Sequence, residues 1–399
     1  MENVDYLIIG GGIAGTVAAE TARKHDAQVS ILIITAEAER LYSRVMLVRY
    51  LNGSVDRDRL FLRQRSDYER QIIDIRYNET VRSLDATAYT VTTASGATIE
   101  YRKLVIATGG QANTLDVPGA NLAGIHAFKT IEDTDALRNL AATAKEIVVV
   151  GGGFVALELV DVFASLQAHV TVVLREQGFF DQIAGERGSA IIASHFASRG
   201  VSIKTNATVE AIMGDKNVEG VKLSTGETIP ANMVALGIGQ SYLQPWMTAA
   251  GLETVANAIK TNEFLETNIP DVYAAGDAAA FYDPAAGHNH RLGSWLNAQL
   301  HGMAVGASIT GTRTPVHSTS FYRADFGGQS LVCTGDLARD GRTIVEREIG
   351  EGKLERYYLQ GDTLMGAVLL NQPERIREVQ QMVGEQNVVA ANEFEPVTQ

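Results

Sequence analysis

Two glycine clusters carry the clearest chemistry in this chain. One follows an apolar run at Tyr6-Leu-Ile-Ile-Gly10-Gly11-Gly12-Ile13-Ala14-Gly15, the other at Ile147-Val-Val-Val-Gly151-Gly152-Gly153-Phe154-Val155-Ala156. In the first, Gly10 permits a tight turn and Gly12 lets backbone N–H groups approach a pyrophosphate. Gly15 lets the following helix lie close on its strand, with the helix N-terminus facing the anion. In the second, Gly151 and Gly153 keep their places and Ala156 stands in for the third glycine. Two dinucleotide sites in one chain point to electron transfer between two nucleotides. Cys333 is the sole cysteine, which excludes an internal redox-active disulfide and a Cys-ligated metal or iron–sulfur centre and suits a reducing cytoplasm. It reads as a small buried apolar residue.

Other residues sit where ligand chemistry is expected. Glu37 follows the apolar run Val29–Ile34 and is placed to bond ribose hydroxyls; a solvated loop glutamate is the competing reading, and Glu39 a competing residue. Past the run Val170–Val173 stand Leu174, Arg175 and Glu176. An acid there favours NADH and an arginine favours NADPH; both are present side by side, and NADH is the reading although Leu174 takes the strand-end position where its acid is expected, so NADPH stays open. Arg44 and Arg49 lie in an apolar stretch, Arg40 to Gly53, and either find anionic partners or face water from an amphipathic helix. Asp277 ends the short apolar run Val272–Gly276, where it accepts hydrogen bonds from ligand hydroxyls or caps a helix. His288-Asn289-His290 has the look of half a metal site, but no second ligand cluster accompanies it, so it reads as a solvated loop and no metal is expected.

These residues need elements to hold them. The 399-residue chain is 45% hydrophobic and 20% charged, long enough for two or three domains with buried cores. No apolar run reaches the ~18 residues of a membrane helix. The acidic start, Met1 to Asp5, leads directly into a strand without a cationic leader, and the formal charge of −13 argues against nucleic acid or anionic membrane as partners. From Val81 the pattern alternates through Ser95-Gly96 as a β-meander and enters a buried strand ending at Ala107-Thr108-Gly109. Val117-Pro118-Gly119 and a charged helical pattern to Leu140 mark a domain crossing. A second unit then repeats the first. Gly12 to Val29 and Gly153 to Val170 each span 17 positions, Thr225-Gly226 mirrors Ser95-Gly96, and the strand from Val234 runs into Gly237 and Gly239. From Ser320 onward come alternating strands with turns at Gly327-Gly328, Asp340-Gly341 and Gly361-Asp362. An amphipathic stretch Glu374–Val383 closes this part, and the tail from Asn387 is either disordered or docked on a neighbour.

Taken together these segments resemble the FAD-dependent pyridine nucleotide oxidoreductases that include glutathione reductase. Tyr42 to Arg49, Trp295 to Ala298 and Gly302 are similar to the branch of rubredoxin, ferredoxin and putidaredoxin reductases and the flavin portion of NADH-dependent nitrite reductase. The resemblance implies an α/β fold with two Rossmann-like domains and a small C-terminal α+β domain: residues 1–112 and 245–318 for FAD, 113–244 for NAD(P)H, and 319–399. It implies that Gly10, Gly12, Ile13, Ala14, Gly15, Glu37, Arg44, Ala107, Thr108, Gly109, Gly276, Asp277 and Trp295 serve FAD, with Asp277 on the ribityl chain. Gly151, Gly153, Phe154, Val155, Arg175 and Gly237 serve the nicotinamide nucleotide. Glu158 orients the nicotinamide and matches a glutamate that pairs with a family lysine; Arg49 stands where that lysine is, which leaves a proton-relay role in doubt. Hydride passes from NADH or NADPH to FAD, and without a redox disulfide the electrons leave the chain. The implied acceptor is a small redox protein of rubredoxin or ferredoxin type, docking on a patch such as Arg57, Arg59, Arg63 and Arg65. The alternatives are an oxidase or quinone reductase, and a flavin redox sensor resembling apoptosis-inducing factor. A homodimer is compatible with each.

Overall fold

Strand Glu2–Ile9 is continuously apolar from Tyr6 because both its edges and both its faces are covered. It pairs in parallel with Ile31–Ile34 on one side and with Thr98–Ile106 on the other. Asp74–Arg76 extends the first side and Val272–Ala274 the second, both parallel. The antiparallel meander Val81–Asp85, Thr90–Thr93, Thr98–Ile106 continues the sheet. The connections diverge from Glu2–Ile9 in opposite directions, so its C-terminal end is the switch point at which open α/β sheets bind ligands. Helix Ile13–His25 packs on helix Trp295–Ser308 almost backbone to backbone. A methyl on Gly302 would lie 2.6 Å from Ala14 O, and one on Gly306 2.6 Å from Ala18 O.

The computed structural model describes residues 2–283 and 287–389 and the backbone of 395–396. The chain forms two compact units: Met1–Met46, Val55–Gln111 and Gln240–Ser318 make one, and Leu47–Ser54, Ala112–Gly239 and Thr319–Gln399 the other. Among the described residues no helix is long and apolar enough to cross a membrane.

The second unit repeats the nucleotide-binding plan. Its parallel sheet runs in the order Ser202–Lys204, His169–Val173, Glu146–Val150, Met233–Leu236, Ile125–Ala127. The turns of the two meanders match: Gly96 and Gly226 have φ of 88° and 86°, and their N–H groups bond Thr93 O and Leu223 O. The repeat departs from the sequence reading at two points. Ile31, not Val29, is the counterpart of Val170, because Tyr6 pairs with Ile31 as Ile147 pairs with Val170; the two extra residues lie in helix Ile13–His25, which has 13 residues against 11 in Phe154–Ala164. The second meander also stops at Pro230 before the core strand resumes at Met233, since proline has no N–H for a ladder.

A six-stranded antiparallel sheet, from Phe321–Phe326 to Thr363–Leu370 with Glu395–Pro396 at its edge, belongs to this second unit. Helix Ile376–Gly384 covers it through Val379 and Val383. Strand Phe321–Phe326 lies against helix Phe154–Ala164, where Tyr322 stacks on Phe154 with ring centroids 5.7 Å apart. Buried ion pairs brace the sheet: Glu355 takes Arg347 and Arg375 on its two oxygens, and Arg356 donates to Glu346 at 2.7 Å. The tail predicted to start at Asn387 is docked as far as Val389, whose N–H bonds Asp362 O; residues 390–394 and 397–399 lie outside the described residues. The segment Leu47–Ser54 is fixed by Tyr50, whose hydroxyl donates to Asp135 Oδ1 at 2.5 Å while Arg138 lies over its ring.

Candidate functional site

In the first unit, Gly10 adopts φ 117° and passes so close to the neighbouring strand end that a methyl on it would lie 2.2 Å from Ala107 O. A methyl on Gly15 would meet Gly10 O at 1.9 Å, whereas one on Gly12 meets nothing within 4 Å. The first and third glycines are thus steric necessities, and the second faces open space. Gly12 caps helix Ile13–His25 without a side-chain bond, and no acidic residue stands in its first turn. By contrast Thr130 and Ser294 cap their helices with hydroxyls. Free amides at an uncapped N-terminus beside a glycine face suit an anion. A cleft here is lined by Gly11, Gly12, Glu37, Arg44 and Trp295 among others.

Two further strand ends converge on this turn. Ala107-Thr108-Gly109 follows Thr98–Ile106, and Thr108 Oγ1 is buried with no hydrogen-bond partner among the described residues, the kind of orphan a bound ligand satisfies. Ala275 N–H bonds Ile106 O at 2.9 Å, bringing Gly276 and Asp277 alongside. Asp277 lies inside the single turn Gly276–Ala278, whose cap position is Ala275, so the helix-cap reading does not hold. His301, missed in the sequence, supports this turn. Fully buried on helix Trp295–Ser308, its Nδ1 accepts the Gly276 N–H at 3.2 Å. Burial, then the neighbouring His290, pushes its imidazole down to about 3, keeping it neutral and able to accept. Trp295 opens the same helix, half-buried at the cleft. Gly10, Gly12, Ile13, Ala14, Gly15, Ala107, Thr108, Gly109, Gly276, Asp277 and Trp295 therefore belong to one region of one unit, and its uncapped amides, open glycine and orphaned hydroxyl fit a dinucleotide such as FAD.

Of the two readings open for the arginines, Arg44 takes the one with an anionic partner. Arg40 to Gly53 forms a turn of 3-10 helix at Arg44–Met46 and a short helix Leu47–Leu51. Arg44 does not face water: it pairs with Glu37 Oε1, while Tyr42 Oη donates to Glu37 Oε2 at 2.5 Å. Of the proposed basic patch, Arg57 is paired with Glu39 and Arg63 with Glu20; Arg59 and Arg65 form no ion pair among the described residues. His288–His290 is a strand paired with Ala279–Asp283 rather than a loop, and His290 reaches Asp283 at 3.4 Å. Among the described residues no cluster suited to a metal ion occurs.

In the second unit Gly151 repeats Gly10, with φ 123° and Gly237 O 2.3 Å from a methyl placed on it. Gly153 repeats Gly12, open and capping helix Phe154–Ala164 without a side chain. Ala156 lies against a glycine of the neighbouring strand end: a methyl on Gly237 would lie 2.9 Å from Ala156 Cβ, so this contact has room for only one of the two side chains. Phe154 is held between Phe180 and Tyr322. Glu158 is one helical turn beyond it. Burial above all, then Asp161 and Asp325, raises its carboxyl to about 7. Helix Leu47–Leu51 packs near it, but no ion pair joins Arg49 to Glu158 among the described residues. Arg175 is exposed and its Nε donates to Glu176 Oε1 at 2.6 Å.

The chain's similarities agree with this geometry. The family model for pyridine nucleotide-disulphide oxidoreductase matches residues 4–302. The ferredoxin reductase subunit of 5,5'-dehydrodivanillate O-demethylase from Sphingobium sp. is 33% identical over 86% of this chain and 84% of that protein. Rubredoxin-NAD(+) reductase from Ectopseudomonas oleovorans is 28% identical over 92% and 96%. The solved covalent complex of putidaredoxin reductase with putidaredoxin is similar with a TM-score of 0.91 and 25% identity, covering 98% of this chain and 96% of that one. An oxidoreductase working with FAD and NAD(P)H, the chain belongs to the pyridine nucleotide-disulphide oxidoreductase family.

Proposed function

We propose that the chain takes hydride from a nicotinamide nucleotide onto FAD and passes the electrons to a separate small redox protein of ferredoxin or rubredoxin type. One observation carries this: the sole thiol, Cys333, is 1% exposed within a strand and burial pushes it up to about 12. It is neither paired nor ionised, so reduced flavin has no acceptor inside the chain. The names of the relatives supply the class of carrier. The lone buried cysteine also suits a cytoplasmic setting.

When bound, the two cofactors supply hydride transfer from nicotinamide C4 to flavin N5; the chain's own residues bind and orient them. The turn Gly10–Gly15 would hold the FAD pyrophosphate through the amides of helix Ile13–His25. Asp277 would take the ribityl hydroxyls, and Trp295 and Arg44 would close the cleft. The turn Gly151–Val155 would hold the nicotinamide nucleotide, with Glu158 donating to the nicotinamide amide from its protonated form. We assign residues 1–112 and 245–318 to FAD, 113–244 to the nicotinamide nucleotide and 319–399 to the C-terminal domain. Arg59 and Arg65 are the charges left for an acidic carrier.

Stopped-flow reoxidation of the reduced flavin tests the acceptor. Reoxidation by a ferredoxin- or rubredoxin-type protein is expected to outrun reoxidation by oxygen or a quinone. Equal or faster turnover with the small acceptors would make the chain an oxidase or quinone reductase instead.

A further inference from the structure

Helix Phe154–Ala164 carries a second carboxylate beside the candidate nicotinamide site. Asp161 follows Glu158 by three residues, so the two side chains are neighbours on one face of the helix. Arg199 holds Asp161 twice: its Nη1 donates to Asp161 Oδ1, and its Nη2 to the Asp161 carbonyl at 3.2 Å. The side chains of Arg199 and Asp161 are only 24% and 25% exposed, so solvent and salt screen this pair less than a surface bridge. The arginine is itself fixed by the C-terminal sheet. Strands Phe321–Phe326 and Gln329–Gly335 join through Gly327 and Gly328, both left-handed, with φ of 53° and 82°. A methyl on Gly327 would lie 2.7 Å from Arg199 Nη1 and 2.4 Å from His195 Nε2, so the turn closes over the guanidinium only because it has no side chain there.

The other charges around Glu158 have their own partners or lie apart. After burial, Asp161 and then Asp325 oppose its ionisation. Asp325, on strand Phe321–Phe326, is held by Arg323, whose Nη2 donates to Asp325 Oδ1 at 2.7 Å, and Tyr322 of that strand stacks on Phe154. Arg49, on the nearby helix Leu47–Leu51, makes no ion pair with Glu158 among the described residues. Glu146 and His169, which open the two strands beneath the helix, face each other at 3.4 Å. On helix Asp181–Ser198, His195 has a buried Nε2 with no hydrogen-bond partner among the described residues. Burial, then the adjacent Arg199 cation, pushes its imidazole below the ordinary value, so His195 is neutral at physiological pH and adds no second positive charge. The like charge next to Glu158 on its own helix is thus Asp161, and the cation set against it is Arg199.

We infer that Asp161 and Arg199 are positioning residues for hydride transfer: Asp161 helps keep Glu158 in the form that donates to the nicotinamide amide, and Arg199, clamped under the Gly327 turn, limits how strongly it does so. This rests on the reading of Glu158 as the group that orients the nicotinamide. The test is stopped-flow flavin reduction in FAD-loaded protein, by whichever of NADH and NADPH reduces it faster, across about pH 5 to about pH 9. Asp161→Asn removes the like charge, lets Glu158 ionise more readily and moves the midpoint of the profile down. Arg199→Gln leaves Asp161 uncompensated and moves the midpoint up, each shift being about half a pH unit. Asp161→Asn combined with Arg199→Gln, and Arg199→Lys alone, stay near the wild-type midpoint. A merely structural lesion lowers the rate at every pH and does not produce opposite shifts that cancel. FAD content and thermal unfolding check that each variant is loaded and folded; if Asp161→Asn does not fold, the contrast between Arg199→Gln and Arg199→Lys decides. A flat profile in Glu158→Gln, together with midpoints in the Asp161 and Arg199 variants that stay at the wild-type value or move the same way, overturns the assignment and leaves the role of Glu158 standing. A wild-type profile retained in Glu158→Gln overturns that role and the assignment with it.

Discussion

At the scale of single residues the informative groups are those whose protonation or size is set by their surroundings. Glu158 is raised to about 7 by burial, with Asp161 and Asp325 adding repulsion. A folded-state value above the ordinary carboxyl value means that its contribution to stability is complete below about pH 4.5 and is lost as pH rises through about 7. The rate of flavin reduction in wild type is therefore expected to fall through an apparent pKa near 7. Glu158→Gln, a mimic of the protonated form, is expected to keep the acid-side rate from about pH 5 to about pH 9; a wild-type profile retained in the variant would remove Glu158 from this role. Asp277→Ala is expected to fold but to bind FAD about tenfold to a hundredfold more weakly, since a hydrogen bond to a charged group contributes roughly 1.5–3 kcal/mol. The checks are FAD content after purification and thermal unfolding of the apo-protein. The glycine turns and the strand end at Ala107–Gly109 leave local signals in the sequence, whereas for Asp277 the residues alone read as well as a helix cap and only the family resemblance points to a ligand. His301 could not, as its bond to the Gly276 amide joins residues 25 apart with no local pattern. Arg44 stands out in the sequence, but neither reading of Glu37, ribose ligand or solvated loop glutamate, makes it the partner of Arg44.

At the scale of elements, the two strand–turn–helix units use the third position of the glycine turn differently. In the first, Gly15 lies against Gly10 O; in the second, Ala156 lies against Gly237 at the end of the neighbouring strand. Gly237→Ala is expected to overpack the contact and destabilise the second unit by about 1–3 kcal/mol. Adding Ala156→Gly is expected to recover most of that loss, a coupling readable in a double-mutant cycle by thermal unfolding and ADP-ribose binding. Strand and helix periods made both units legible. The equal 17-residue spacing nevertheless misaligned them by two residues, because a helix gains or loses length at its solvent end without disturbing the sheet, so register needed the pairing itself. The strand at His288–His290 was hidden by its short length and its polar residues, and its pairing comes from Ala279–Asp283.

At the scale of the whole molecule, the fold class and the order of the nucleotide-binding segments follow from the repeat, while the membership of Leu47–Ser54 does not. That segment lies between residues of the first unit in sequence and is fixed in the second by Tyr50 on Asp135, a contact 85 residues away that no periodicity announces. The formal charge of −13 is expected to make reaction with an acidic carrier faster at moderate salt than at very low salt, as long-range repulsion is screened within about 10 Å at 0.1 M; stopped-flow electron transfer across ionic strengths measures this.

Interleaved units also govern the order of events at the ribosome. Strand Glu2–Ile9 and its glycine turn are made first, but the sheet they belong to lacks Val272–Ala274, and helix Ile13–His25 lacks its packing partner Trp295–Ser308, until most of the chain exists. At typical synthesis rates the first strand waits roughly ten to fifty seconds for these pieces. Nascent chains arrested before residue 272 should leave the first unit open to protease and without bound flavin fluorescence, and chains arrested after helix Trp295–Ser308 has cleared the tunnel should acquire both protection and cofactor. The earliest segment to emerge would then be among the last to become native.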